Sequence, residues 1–84
     1  MIVNISVLKD ILGKCYEKAN RPKDALFAYL YVDMIFNTVP DTHAEALFHL
    51  VPLGRATGQD ELSRQSREQL LKRYAGSRWA KEVK

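Results

Sequence analysis

The stretch LGKCYEKANRPKDALFAYLYVDMIF, Leu12 to Phe36, decides how this chain is read. Near its centre Asn20-Arg21-Pro22 marks a break. Asparagine is the next-best residue after glycine for a left-handed conformation, and proline is favoured at the first position of a helix. Before the break, Ile5, Leu8, Ile11, Leu12, Cys15 and Tyr16 recur at i, i+3, i+4 and i+7, which is an amphipathic helical stripe. The other face of that helix shows Lys9, Asp10, Lys14, Glu17 and Lys18. After the break, Asp24 to Phe36 carries only two charges, Asp24 and Asp33, so this helix lacks a conventional water-facing side. At about 100° per residue, Ala25, Tyr29, Val32 and Phe36 share one stripe. Phe27, Leu30, Tyr31 and Met34 share an opposed one.

Working outward, turn signals recur at helical intervals. In NTVPDTHAE, Thr42 stands three residues before Glu45, the spacing of a capping box, with Asp41 as a competing cap. In ATGQDE, Gly58 suits a left-handed close to one helix before another starts. In YAGSRWAKE, Gly76 stops a helix and Ser77 caps the next. No β-branched alternation and no Asn-Gly or Asp-Gly hairpin turn is present. The spacing predicts helices near 4–19, 22–37, 42–57, 60–74 and 77–83. Pro52 is expected to kink or break the third, because it removes the bond to the Phe48 carbonyl. The fourth is the most polar, with Leu62, Leu70, Leu71 and Tyr74 as its apolar set and Ser63 and Ser66 at small-residue positions. The class is all-α in one domain, residues 1–84: a helix pair over about 4–37, a second over 42–74, and a short closing helix.

The first pair contains Leu12-Gly13-x-x-Tyr16, followed by Ala25-x-x-x-Tyr29. This resembles the tetratricopeptide repeat, a helix-hairpin unit that stacks into α-solenoids. The resemblance implies that Gly13 lets two antiparallel helices cross closely, that Ala25 is the small contact opposite, and that Tyr29 packs back into the same interface. The second pair departs from the pattern. Gly54 stands where the family's tyrosine is expected and Ser63 where its alanine is. Its ending, LLKRYAGSRWA, is similar to divergent bacterial forms that close on Tyr-Pro-x-Ser, with Ala75 in place of the proline. The final helix then caps the core, with Trp79 over its open end.

Composition narrows the function classes. Cys15 is the only cysteine, so no intrachain disulfide and no cysteine-rich zinc site is possible, and on the apolar stripe it is expected as a buried thiol. The longest apolar run, Leu26 to Val32, is far short of the roughly 20 residues of a membrane span. The amino terminus shows no signal-peptide pattern, and the compartment, cytoplasmic or periplasmic, stays open. Residues 1–54 hold five basic and six acidic side chains, and residues 55–84 hold eight and four. The basic half reads as a solvated helix face; the alternative is nucleic-acid binding through residues 55–84, which is disfavoured for want of a motif.

Nothing assembles into an active site. His43 and His49 are six apart, about 120° from a shared face, and so not a metal pair. His43 is expected at the surface near a cap, and His49 lining a groove or packed. No histidine neighbours Cys15, Asp60-Glu61 suit a helix start, and Asn4-Ile5-Ser6 matches a glycosylation tripeptide common by chance. No catalytic, metal or cofactor residue is predicted, and the expectation is a non-enzymatic scaffold binding a protein or peptide.

Two surfaces are candidates. The resemblance implies a concave groove lined by the first helix of each pair: Asp10, Lys14, Glu17 and Lys18, then Glu45, Phe48, His49 and Arg55. The second is the Phe27, Leu30, Tyr31 and Met34 stripe. It packs on the later helices, on a neighbouring repeat of a longer parent chain, or on a second copy as a homodimer.

Overall fold

The computed structural model describes residues 5–35 and 40–83, with the side chains of residues 5–7 and Asp10 excepted. The expectations for Asn4, the Ile5 and Asp10 side chains and Phe36 lie outside the described residues. All regular structure among the described residues is helical: α1 (Ile5–Lys18), α2 (Pro22–Ile35), α3 (Pro40–Ala56), α4 (Asp60–Arg73) and α5 (Arg78–Val83). Consecutive helices pack on one another from α1 through α4, and α5 closes on α3 and α4. The smallest dimension is 19 Å, about two helix diameters.

Two turns built alike explain the architecture. Asn20 adopts φ 59° and Gly58 φ 77°, the left-handed conformation that ends a helix. At the first turn the Arg21 N–H donates to the Tyr16 carbonyl (2.9 Å) and the Asn20 N–H to Glu17 (3.1 Å). At the second, Gln59 donates to Gly54 (2.7 Å) and Gly58 to Arg55 (3.3 Å). The flanking bonds, Ala19 to Cys15 and Ala25 to Arg21, also recur as Thr57 to Leu53 and Ser63 to Gln59. Each partner is shifted by the same 38 residues that separate Asn20 from Gly58.

The core is built from α2, α3 and α4, with Tyr29, Leu47, Leu50, Leu70 and Val32 fully buried. Gly13 carries the close approach of the first hairpin: a Cβ there would lie 2.6 Å from the Tyr29 ring. In the second hairpin the close approach has moved toward the turn, and a Cβ on Gly54 would lie 2.9 Å from the Gln59 carbonyl and the Ser63 nitrogen. Ser63 is buried and donates its hydroxyl to the Val51 carbonyl at 2.6 Å.

Several local expectations are corrected. α3 runs unbroken through Pro52, whose ring is exposed and so does not crowd the core. α3 begins at Pro40, which places Thr42 inside the helix and not at its cap; Glu45 pairs with Lys14 instead. Ser77 does cap α5, accepting from the Ala80 N–H at 3.2 Å. Trp79 packs on the core beside Phe48, ring centroids 5.3 Å apart.

Candidate functional site

The orientation of α1 decides what the molecule shows to solvent. Gly13 must face Tyr29, and at about 100° per residue this turns Lys9, Tyr16 and Glu17 inward with it. Leu8, Ile11, Leu12 and Cys15 then fall on the opposite side. They are exposed, Leu8 and Ile11 by half, so the apolar stripe of α1 faces out and Cys15 is not a buried thiol. The stripe and the glycine made opposing demands, and the glycine's close contact prevailed.

α2 completes the same surface. Phe27 is 67% exposed and Met34 71%, with Tyr31 and Ile35 beside them. Leu30 departs from this group: it is half-buried against the core. The later helices therefore cover Leu30 but leave Phe27, Tyr31 and Met34 largely exposed, so the first explanation for that stripe holds for Leu30 alone. A groove of about 310 Å³ runs between Leu12 of α1 and Phe27 and Tyr31 of α2, so the two exposed stripes meet there, with Asp24 also in its lining. Lys9 lies along it, its ammonium 4.8 Å from the Tyr31 ring centre.

The predicted concave residues behave differently. Lys14 pairs with Glu45 at 2.9 Å. Glu17 accepts from the Tyr29 hydroxyl at 2.8 Å and meets His49 Nδ1 at 2.9 Å, and the His49 and Tyr29 rings stack 4.6 Å apart. Burial lowers the His49 pKa from its ordinary value, helped by Lys14 and opposed by Glu17 and Glu45. Near neutral pH His49 is therefore uncharged, and its Nδ1–H donates to Glu17. Phe48 is half-buried against the core, its ring edge-on to His49. Lys18 and Arg55 are exposed. The structure thus brings Lys14, Glu17, Phe48 and His49 together, but as a bridge between α1 and α3 whose polar groups answer one another.

One cluster escaped the sequence reading. His43, expected at the surface, is completely buried. Its Nε2 lies 2.5 Å from Asp33 Oδ1 and its Nδ1 lies 2.6 Å from the Tyr74 hydroxyl. An ionised Asp33 only accepts, so Nε2 carries the proton; in the neutral ring Nδ1 accepts from Tyr74. The imidazole is fully enclosed, and Tyr74 is half-buried. The cluster fastens α2, α3 and the end of α4. The signal was weak, because the three residues are scattered 10 and 31 positions apart.

In the basic half, Arg64, Arg73 and Arg78 are engaged internally. Arg64 pairs with both Glu61 and Glu68, which keeps Glu61 below the usual carboxylate range. Arg73 lies over Tyr74 and Arg78 over Trp79. Among the described residues no three metal-binding side chains converge, and no helix is long and apolar enough to cross a membrane. Comparison of the chain with protein-family models, with curated proteins and with solved structures gives no match.

Proposed function

We propose that this chain is a non-catalytic protein-interaction module built from two tetratricopeptide-like helix hairpins and a short capping helix. The hairpin-repeat reading is supported by the two turns, whose hydrogen bonds recur 38 residues apart, and by the Gly13–Tyr29 contact. The observation that carries the interaction reading is the outward face of α1 and α2. Seven large apolar side chains there are more than a third exposed. Contiguous apolar area of this kind marks an interface in soluble proteins.

The module works through shape and burial. Rigid helices hold the apolar side chains in one layer, and a protein partner gains stability by removing them from water, at about 25 cal/mol per Å². The concave bridge is the lesser surface, because its charges are paired with each other.

The test is comparative capture from a lysate of the source organism, with wild type and a Phe27→Glu/Met34→Glu variant as baits. The reading expects proteins retained by the first and lost by the second at unchanged helix content. Identical capture by both baits argues against it.

A further inference from the structure

We infer that the outward face of the first hairpin is the seat of a second copy of this chain, in a two-fold pair that stacks α1 and α2 on their counterparts. The inference rests on the interaction-module reading and commits it to one partner.

Three observations carry it. The first is the missing cover. Among the described residues, the second hairpin has α2 against one side of α3 and α5 against another, whereas the first has α3 on one side and no described element on the other. None of α3, α4 or α5 covers the exposed residues of α1 and α2.

The second is area. The exposed fractions of these side chains amount to roughly 600 Å² per chain, taking about 150–200 Å² for each when fully exposed. A symmetric pair then buries about 1,200 Å² in total, which reaches the lower bound of stable specific interfaces. It also stands at the upper limit of apolar patches that monomers carry, about 300–600 Å².

The third is charge. In a two-fold interface each surface meets itself, so a charged face repels its own copy. The chain carries a net charge of +3, yet the outward positions of Leu8, Ile11, Leu12 and Cys15 on α1 hold no charge. Neither do those of Phe27, Tyr31, Met34 and Ile35 on α2. Lys9 and Asp24 line the groove between the stripes, Lys9 turned over the Tyr31 ring, and Lys23 borders Phe27. The groove's lining thus holds one charge of each sign and no net charge, whereas the chain as a whole is basic.

An interface at the lower bound of stable size predicts a reversible, concentration-dependent pair. Light scattering and sedimentation of the intact chain, from low micromolar to near millimolar, give the test. Wild type is expected to move from one chain mass to two as concentration rises. Ile11→Glu on α1 and Met34→Glu on α2 each place a charge in the apolar layer. Each is expected to weaken pairing by about a hundredfold or more while keeping wild-type helix content. Lys72→Glu on α4 is expected to leave pairing unchanged.

A wild type monomeric throughout, with charged variants as stable as it is, overturns the pairing and leaves the face free for a different protein. The same holds if a further helix pair of a longer parent chain covers the face, in which case only the extended chain is protected there. A monomeric wild type whose Ile11→Glu and Met34→Glu variants unfold shows that the face is packed within one chain, and overturns both readings.

Discussion

The two hairpins share a turn and diverge in everything the turn leaves free. Counting 38 residues on from Tyr29, the pillar of the first hairpin, leads to Arg67, which is exposed in the second. The first hairpin crosses at mid-helix, Gly13 against a ring. The second crosses beside its turn, Gly54 against backbone and Ser63. As a result α3 and α4 interlock closely and are sealed by α5, while α1 lies across Tyr29 with its apolar side outward. A common turn fixes the connection between helices, but small residues at different heights decide which faces remain available to a partner.

The largest expected effect breaks that contrast at its centre. Tyr29→Ala removes a fully buried ring and strands the Glu17–His49 bridge, and is expected to cost about 3–5 kcal/mol in urea unfolding. The matching change in the second hairpin, Arg67→Ala, removes an exposed side chain and is expected to stay within about 0.5 kcal/mol. Equal losses at the two positions would show that the hairpins are more alike than their cores indicate.

Next in size is the cluster joining the hairpins. His43→Leu leaves Asp33 and the Tyr74 hydroxyl without their partner, and is expected to cost about 2–3 kcal/mol. Tyr74→Phe removes one bond and is expected to cost about 1 kcal/mol. A double-mutant cycle in which the two losses simply add would refute the direct coupling.

The glycines sharpen the comparison further. Gly54→Ala meets backbone atoms that cannot yield, and is expected to cost about 1–3 kcal/mol despite a helix-propensity gain of up to about 1 kcal/mol. Gly13→Ala meets the Tyr29 ring first. It is expected to destabilise wild type and to stabilise the Tyr29→Ala variant, where the obstruction is gone. Gly54→Ala gains no such relief in that background.

These differences trace what was legible in the sequence. Asn20, Pro22, Gly58 and Ser77 act through their own backbone or their nearest neighbours, so those four helix ends could be read from single residues. Periodicity also grouped Leu8, Ile11, Leu12 and Cys15 of the α1 stripe, though Tyr16 turns inward from them. It could not say which side of α1 was covered, because that depends on Gly13 meeting a ring sixteen positions away. Leu30 shares a helical side with Phe27, yet sits close enough to the boundary for the core to claim it. His43 was misplaced for a related reason: histidine is buried only when both ring nitrogens are answered, and Asp33 and Tyr74 come from other elements. Pro52 was over-read, since a proline on the solvent side of a well-packed helix need not end it.

The smallest effect concerns pH and again separates the hairpins, because His49 touches the first through Glu17 and Lys14 while belonging to the second. Its pKa is lowered in the folded chain, chiefly by burial, so the unfolded chain binds the proton more readily. The stabilising contribution of neutral His49 is therefore fully present above the ordinary histidine pKa of about 6.5. It is lost as pH falls from there through the lowered folded value. Glu17 and Glu45 limit the loss by favouring the imidazolium, and Lys14 works against them. Urea midpoints between pH 7.5 and 5 are expected to fall for wild type, and to fall less for His49→Gln, which keeps a donor toward Glu17 without a titrating ring. Parallel profiles for the two proteins would show that the concave bridge does not sense pH. A profile for wild type that rises on acidification would mean that Glu17 and Glu45 outweigh burial.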